Sequence, residues 1–231
     1  MAVRRPATVR SPEKPCQQPR ALVYDFGGPV LRTPFEVVRG LERRLGLAPG
    51  TFDWTGPFDP RADPLWGRML AGEITEPGYW AIRATEVAAV TGEPGVRAMM
   101  RLLYPMDEIE THLRKEAYDT LARAKAAGLR TAVLTNDLVM FLDPETIARI
   151  RFLAQVDAVM DGSAAGIYKP DPLAYQEVLD SLRVASAAAV FVDDQPRNVA
   201  GAQAVGMRAV FFDVTRPRES YRALRQVLGF T

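Results

Sequence analysis

One acidic residue stands out because of what precedes and follows it. The apolar run ALVYD (21–25) stops at Asp25, and Gly27 and Gly28 follow within three residues. A carboxylate at the end of a buried strand can attack phosphorus and form an aspartyl-phosphate, which splits one hard step into two easier ones. Glycines let backbone amides approach phosphate oxygens closely. The stretch therefore predicts a nucleophile, Asp25, beside an anion-binding turn.

Three later segments carry polar residues of complementary chemistry. The run RTAVLT ends at Thr135, a hydroxyl donor, and Asn136 follows it. Lys169, in GIYKPDP, supplies fixed positive charge that would stop a carboxylate and a phosphate from repelling one another. The run AAVFVD leads into the pair Asp193 and Asp194, and paired carboxylates suit a hard cation such as Mg²⁺. Each residue alone is typical of a cap, a turn or a surface charge, so the signal is the ordered set.

Short apolar runs alternating with amphipathic segments must position these residues. The runs are rich in Val, Ala and Phe, which is typical of parallel strands buried on both faces. They cover residues 21–25, 130–135, 156–161, 188–193 and 208–213. Helical periodicity lies between them, at 107–127, 172–183 and 196–206. The alternation predicts an α/β fold with a doubly wound parallel sheet, in which ligands bind outside the carboxyl ends of the strands.

The interval between the first two predicted strands is too long for a simple crossover. Apolar residues at helical spacing predict an inserted α-helical subdomain, with Thr75 capping one helix and others around residues 37–45, 65–74 and 94–103. We call residues 33–105 the insertion. Residues 20–32 and 106–231 are assigned to the α/β core.

The aromatic residues of the insertion are predicted to form its own core instead of a cage around a substrate. They are Trp54, Phe58, Trp66 and Tyr79. The loop FDPRADPLWGR (58–68) is where we expect substrate choice to be decided, because Pro-rich loops over the mouth of a sheet can act as lids. Its Arg61 and Arg68 either reach polar groups of a substrate or are solvated at the surface.

Composition excludes several classes of function. Residues 1–19 form a basic, proline-rich tail that we expect to be disordered, because it cannot bury enough apolar surface to offset its ordering entropy. The net charge of +1 opposes a nucleic-acid-binding surface, and no apolar stretch is long enough for a secretion signal or a membrane span. The only cysteine, Cys16, excludes an intrachain disulfide. We expect a cytoplasmic protein without nucleic-acid or membrane partners, and the sequence does not indicate its oligomeric state.

Histidine chemistry is also disfavoured. The only histidine, His112, lies in the charged stretch DEIETHLRKEAYDTL and is predicted to be a solvated surface residue. A single histidine in that setting opposes histidine-based catalysis and multi-histidine zinc sites.

The four polar segments resemble the motifs of the haloacid dehalogenase (HAD)-like hydrolase superfamily. The motifs stand in the same order here, as YDFGGPV, VLTN, the lysine of YKPDP, and VDDQPRN. The insertion is similar in position to the helical (C1-type) cap that one subclass carries after the first motif, and LWGRMLAGEITEPGYW (65–80) looks like part of such a cap. The resemblance covers roughly residues 20–230.

The resemblance implies Mg²⁺ as cofactor, a small phosphorylated substrate and a role for each motif residue. Asp25 would be the nucleophile, and Asn198 would orient the acidic pair. Lys169 would balance charge and bind phosphate, together with Gly27, Gly28, Thr135 and Asn136. The metal would be bound by the carboxylates of Asp25, Asp194 and Asp193 and by the carbonyl of Gly27.

Two positions depart from the pattern of the family. Gly27 stands where most phosphatases of this kind carry a second Asp, which protonates the leaving group and then activates water. Losing a general acid–base costs about two to four orders of magnitude in rate. Pro29 replaces a small residue and removes an amide donor from the turn. We expect slow turnover, relieved for substrates with good leaving groups such as anomeric or acyl phosphates.

The resulting prediction is a Mg²⁺-dependent phosphohydrolase acting on a small, sugar-phosphate-like metabolite through an aspartyl-phosphate. Two alternatives stay open. A dehalogenase would use Asp25 to attack carbon without a metal, although the pair Asp193–Asp194 argues against it. A phosphate-binding or regulatory module without catalysis would explain Gly27 and Pro29, but it has little need of the other motif residues.

Overall fold

A computed structural model describes residues 18–230 of the 231-residue chain. Within this range five strands form one sheet, and each lies inside one of the predicted apolar runs. The strands are β1 (Ala21–Tyr24), β2 (Arg130–Thr135), β3 (Ala158–Asp161), β4 (Ala189–Asp193) and β5 (Arg208–Phe211). All neighbouring strands are parallel, so the predicted α/β class is confirmed. Residues 1–17 of the predicted tail, which include Cys16, lie outside the described residues.

The order of the strands is β3-β2-β1-β4-β5. The chain runs outward from β1 through β2 to β3, and then returns to the other side of β1 with β4 and β5. Because the strands are parallel, their carboxyl ends meet along one edge of the sheet. The reversal beside β1 opens a crevice at that edge, between the ends of β1, β2 and β4.

The central strands are apolar throughout because helices cover both of their faces. In β1, Leu22 and Tyr24 belong to one buried cluster, whereas Ala21 and Val23 belong to the cluster on the opposite face. The side chains of a strand alternate between its faces, so burial on both sides removes the polar half of the pattern. This accounts for the uninterrupted run that the sequence shows at residues 21–24.

Eleven α-helices lie among residues 18–230. They are α1 (Pro34–Arg44), α2 (Pro64–Leu70), α3 (Glu76–Thr91), α4 (Val96–Leu103), α5 (Lys115–Ala126), α6 (Leu138–Phe141), α7 (Pro144–Arg149), α8 (Gly162–Ala165), α9 (Pro172–Leu182), α10 (Pro196–Ala204) and α11 (Pro217–Leu228). Apolar residues of α5 and α11 pack on one face of the sheet, and those of α9 and α10 pack on the other. None of the helices in this range is long and apolar enough to cross a membrane.

The single helix predicted over residues 107–127 is wrong. A 3₁₀ turn at Ile109–His112 is followed by extended backbone, and α5 begins only at Lys115. The extended residues pair with the segment after β1, where the Arg114 amide donates to the Val30 carbonyl at 2.8 Å. This tertiary hydrogen bonding interrupts a stretch whose apolar spacing alone is helical.

The surface prediction for His112 is also wrong. The imidazole is half-buried, packs edge-on against Tyr104 with ring centroids 5.4 Å apart, and has a buried Nε2 without a partner among the described residues. Burial lowers the pKa of His112, and the nearby Arg44 lowers it further. His112 is not among the residues that line the cavity described below, and its lack of a role in the chemistry stays a prediction.

The helices of the insertion are α1 to α4. The helix predicted over 65–74 ends early, at Leu70, and α3 follows from Glu76. Thr75 caps α3 as predicted, because its hydroxyl accepts a hydrogen bond from the Gly78 amide at 3.2 Å. Buried residues of the insertion belong to the same apolar cluster as the sheet. The division at residues 33 and 105 stays a prediction.

The aromatic residues of the insertion divide into two groups. Trp54, Trp66 and Tyr79 are buried, as predicted. The prediction for Phe58 is wrong, because this residue ends a 3₁₀ turn in the connecting loop and its side chain is 47% exposed. Arg61 and Arg68 are exposed, and Arg68 pairs with Glu73 on the surface. Neither arginine lines the cavity described below.

A buried arginine that the sequence did not reveal holds the loop before α2 onto α3. The guanidinium of Arg83 donates to Asp63 at 2.5 Å, to Glu86 at 3.0 Å and to the Tyr79 hydroxyl at 3.1 Å. Asp63 is fully buried and also accepts from the amides of Gly56 and Trp66. A charge buried in this way is tolerated only while its partners are in place.

Replacing Arg83 with Met is expected to destabilise the protein by about 3 kcal/mol or more, because Asp63 is left buried without its cation. Urea unfolding followed by tryptophan fluorescence measures the change. The control is Arg68→Met, which removes an exposed ion pair of the same insertion and is expected to cost about 1 kcal/mol or less. Equal losses for the two variants would contradict the role of the Arg83 network.

Candidate active site

The predicted site residues converge at the crevice between the ends of β1, β2 and β4. A cavity of about 150 Å³ lies there, and nearly all of them line it. The lining residues from the predicted set are Asp25, Gly27, Gly28, Thr135, Asn136, Lys169, Asp194 and Asn198. Asp193, at the end of β4, is completely buried directly beneath them. Four segments far apart in sequence are therefore brought to one place by the strand order.

Lys169 is the centre of the charged groups. Its ammonium donates to Oδ1 of Asp25 and to Oδ2 of Asp193, both at 2.7 Å. All three side chains are buried, so water screens this double ion pair weakly. The two carboxylates together raise the pKa of Lys169 above its usual range, although burial opposes them, and the lysine stays charged.

The two acids after β4 have different surroundings. Asp193 accepts hydrogen bonds from the Gln195 amide at 2.7 Å and from the side-chain amide of Asn198 at 3.1 and 3.2 Å. Within residues 18–230 no group donates a hydrogen bond to the carboxylate of Asp194, which lines the cavity. Asn198 therefore orients Asp193 alone, and Asp194 presents a carboxylate without a protein partner.

Three carboxylates meet at the cavity. Oxygen atoms of Asp25, Asp193 and Asp194 lie within 4.8 Å of one another. Burial raises the pKa of Asp25 to about 8 and raises that of Asp194 well above its usual range, with repulsion between the acids adding to both. With only the cation of Lys169 beside three acids, the ionised forms of Asp25 and Asp194 are disfavoured. An all-oxygen donor set of this kind fits a hard divalent cation such as Mg²⁺.

The two oxygens of Asp25 are used differently. Oδ1 accepts from Lys169 and from the Phe26 amide at 2.8 Å. Oδ2 has no hydrogen-bond donor in the described part of the chain, and it lies on the side of Gly27. One oxygen is thus fixed by the protein while the other is free to react.

The glycine turn is shaped by Asp194. Gly28 has a φ of +78°, and a Cβ on it would lie 2.6 Å from Oδ2 of Asp194. Only glycine fits both constraints. The Gly28 amide donates to the Leu31 carbonyl at 2.9 Å, so it is engaged inside the turn. The predicted binding of phosphate by Gly28 stays a prediction, and it would require this amide to be shared.

Two residues that the sequence did not indicate hold the turn through its backbone carbonyls. Nε of Arg114 donates to the Gly28 carbonyl at 2.6 Å, and the Tyr221 hydroxyl donates to the carbonyl of Pro29. Arg114 also pairs with Glu36 of α1 at 2.7 Å, which connects the turn to the insertion. No local pattern could have revealed these contacts, because the partners are distant in sequence.

Asn136 positions Lys169. Its side-chain amide donates to the Lys169 carbonyl at 3.1 Å and accepts from the Lys169 amide at 2.8 Å. Both ends of the amide are thereby occupied, which favours a positioning role over the predicted contact with phosphate. Thr135 is buried at the end of β2 and lines the cavity.

Two further acids at the cavity were not predicted. Glu76, at the start of α3, lines the cavity and pairs with Arg197 of α10 at 2.6 Å, so the insertion contacts the core there. Asp137 lies next to Asn136, and burial raises its pKa to about 7. The Thr75 cap indicates where Glu76 stands on its helix, but nothing in the sequence indicates that α3 starts at the crevice.

Comparison with known proteins gives the family of the chain. A sequence profile of the haloacid dehalogenase-like hydrolases matches residues 71–206, which is more than half of the chain. The chain belongs to this family of hydrolases. The predicted membership of the HAD-like hydrolases is thereby confirmed, whereas the matched range does not include the first motif at residues 24–30, and the cap subclass stays a prediction.

Named HAD-like relatives include two kinds of enzyme. The phosphoglycolate phosphatase of Rhodospirillum rubrum is 35% identical over 220 residues, which are 92% of this chain and 87% of that protein. The (S)-2-haloacid dehalogenase 1 of Pseudomonas sp. strain CBS-3 is 32% identical over 159 residues, which are 67% of this chain and 68% of that protein. The solved structure of the HAD-hydrolase YfnB from Bacillus subtilis shares the fold, with a TM-score of 0.65 and 16% identity over 93% of this chain and all of that one.

Some other relatives are much longer than the matching part. The chain spans 19%, 45% and 56% of the length of three further curated proteins that it resembles. Their activities as whole proteins are therefore not carried over to this HAD-like hydrolase.

Replacing Gly28 with Ala is expected to destabilise this hydrolase by about 1–2 kcal/mol, the cost of a left-handed backbone for a residue with a Cβ, and to displace Asp194. Gly27→Ala is the matched control. Its Cβ would lie 4.0 Å from the nearest atom, Oδ2 of Asp25, and it is expected to cost less than about 0.5 kcal/mol. Urea unfolding of both variants checks the difference, and a Gly27 variant as unstable as the Gly28 variant would contradict it.

Proposed function

We propose that this protein is a Mg²⁺-dependent phosphohydrolase that acts on a small phosphorylated metabolite through an aspartyl-phosphate. The observation that carries the proposal is the cluster of Asp25, Asp193 and Asp194, whose oxygens lie within 4.8 Å of one another. A carbon-attacking hydrolase needs no cation, so the pair Asp193–Asp194 argues against that reaction. The 35% identity to a phosphoglycolate phosphatase over most of the chain supports the same reaction class.

The residues that would hold Mg²⁺ are the carboxylates of Asp25 and Asp194 and the carbonyl of Gly27, with Asp193 in support. When bound, the ion would neutralise charge on the phosphoryl oxygens and on the acids, so that an anionic nucleophile could approach an anionic substrate. Asp194 carries no competing hydrogen bond in the described chain, which suits it to this role. Asn198 keeps Asp193 in place.

The protein groups act in a simple sequence. Oδ2 of Asp25 attacks phosphorus and the bond from phosphorus to the leaving oxygen breaks, which gives an aspartyl-phosphate. Lys169 keeps Oδ1 fixed and balances the charge that gathers on the phosphoryl group. The Thr135 hydroxyl donates to a phosphoryl oxygen. Water then attacks the aspartyl-phosphate, which releases phosphate and restores Asp25.

Because residue 27 is glycine, departure of the leaving group has the highest barrier in this reaction. No carboxyl stands two residues after the nucleophile, so that position supplies no proton to the departing oxygen. The substrates that fit are those whose leaving oxygen departs as a stable anion. The sugar-phosphate-like substrate stays a prediction, as do the cytoplasmic location and the absence of nucleic-acid and membrane partners.

The decisive experiment measures release of phosphate and of halide by the same protein, with Mg²⁺ or with EDTA. p-Nitrophenyl phosphate, acetyl phosphate and 2-chloropropionate are the probes. Phosphate release that requires Mg²⁺ is expected, and Asp25→Asn is expected to reduce it to background because the attacking oxygen is lost. The control is Asp119→Asn, an exposed acid of α5 that pairs with Lys115.

The alternatives give different results in that assay. Halide release that persists in EDTA would identify a dehalogenase, the activity named for one of the relatives. Absence of both products, together with thermal stabilisation by Mg²⁺ and beryllium fluoride, would identify a phosphate-binding module without catalysis. Either result would overturn the proposal.

Gly27→Asp is expected to raise kcat for an alkyl phosphate by about tenfold or more, because it restores a general acid to the position that the family uses for one. Space is available, since a Cβ at Gly27 lies 4.0 Å from its nearest neighbour. For acetyl phosphate, whose leaving group needs no proton, the gain is expected to be much smaller. Gly27→Asn controls for the change of shape, and an equal gain from Asn would contradict the acid role.

A further inference from the structure

The wall of the cavity opposite the carboxylates is apolar. It is built from the insertion and from α6 on the core side. The side chains are Phe35, Trp66, Trp80, Met100, Phe141 and Leu142. Aromatic contacts connect the four rings into one surface, with ring centroids 5.1 Å apart for Phe35 and Trp66, 5.5 Å for Phe35 and Trp80, and 6.3 Å for Trp80 and Phe141. A substrate whose phosphate meets Asp25 would place the rest of its body against this wall.

Two polar side chains beside this wall, those of Tyr104 and Thr33, already have partners. The Tyr104 hydroxyl donates to the Arg32 carbonyl at 2.7 Å, and the Thr33 hydroxyl donates to Glu36 at 3.1 Å in the cap of α1. A hydroxyl-rich substrate would lose its water here and find these groups occupied. Burying a polar group without a hydrogen bond is unfavourable, whereas burying an apolar group against such a wall is favourable. The wall therefore selects against sugar-like bodies.

The size of the cavity limits the apolar body to a small one. Its volume of about 150 Å³ is comparable with that of a cavity that accepts a single benzene ring. The carboxylates line the same cavity, so this volume also has to take part of the phosphate, and a small body fits it best.

The missing acid at Gly27 points to the same chemistry independently. A phenol has a pKa of about 10, far below that of an aliphatic alcohol, so a phenolate departs without a proton from the enzyme. We infer that the substrate of this site is a small aryl phosphate monoester, whose ring lies on the Phe35–Trp80–Phe141 wall. The inference rests on the proposed function and narrows its substrate class. As the bond from Asp25 to phosphorus forms, the bond from phosphorus to the aryl oxygen breaks, and the phenolate takes its proton from water.

Four phosphorylated compounds separate the two requirements. Phenyl phosphate has both the apolar ring and the good leaving group, cyclohexyl phosphate only the apolar ring, the acyl phosphate acetyl phosphate only the leaving group, and glucose 6-phosphate neither. With Mg²⁺ present, kcat/KM is expected to be at least tenfold higher for phenyl phosphate than for any of the others. KM is expected to be similar for phenyl and cyclohexyl phosphate, and higher for the two polar compounds.

Variants of α6 test the wall itself. Phe141→Ser is expected to raise KM for phenyl phosphate about fivefold or more, since it removes an apolar contact surface, and to leave KM for acetyl phosphate unchanged. Phe141→Leu is expected to restore most of the loss. The control is Val139→Ser, on the same short helix, because Val139 is 39% exposed and does not line the cavity. Binding of phenyl phosphate is also expected to change the fluorescence of Trp66 and Trp80.

The outcomes distinguish the inference from the function on which it rests. Faster hydrolysis of glucose 6-phosphate or acetyl phosphate than of phenyl phosphate would overturn the aryl substrate and leave the phosphohydrolase intact. Equal effects of the Phe141 and Val139 variants would overturn the role of the wall. No phosphate release from any of the four compounds would overturn the proposed function, and the inference with it.

Discussion

The site depends on one buried arrangement of charge, in which Lys169 bridges Asp25 and Asp193 at 2.7 Å each. Carboxylates taken out of water are stable only when a cation and hydrogen-bond donors compensate them. Asp193 obtains four such contacts and is completely buried, whereas Asp194 obtains none in the described chain and faces the cavity. The carboxylate of Asp194 and Oδ2 of Asp25, which have no hydrogen-bond donor in the described chain, are therefore the acidic groups that remain available at the cavity.

The rest of the molecule keeps this arrangement in position and closes it from water. Arg114 and Tyr221 fix the carbonyls of the turn after β1, and Asn136 fixes the backbone of Lys169. The insertion adds an apolar wall over the open edge of the sheet. Arg83 holds the loop before α2 onto α3 through ion pairs, so the wall is fixed in position. The charged groups at the strand ends and the apolar wall therefore line two sides of one small cavity.

Family membership and site chemistry answer different questions about this protein. HAD-like relatives include a phosphatase and a dehalogenase. A shared fold therefore does not decide between attack on phosphorus and attack on carbon. The acids beside Asp25 favour phosphorus, and the absence of a carboxyl at Gly27 favours a stable leaving group. The aromatic wall agrees with that preference, although it is built by a different part of the chain.

The sequence by itself determined the sheet and the motif residues, because burial on both faces leaves an unbroken apolar run and parallel strands end at one edge. It also determined the Thr75 cap, which depends on neighbours in sequence. Only the tertiary structure decided the break before α5, the burial of His112, and the approach of Glu76 and Arg114 to the crevice. These depend on hydrogen bonds and packing between segments far apart in the chain. Local periodicity carries no information about such partners, since the same pattern is compatible with many long-range pairings.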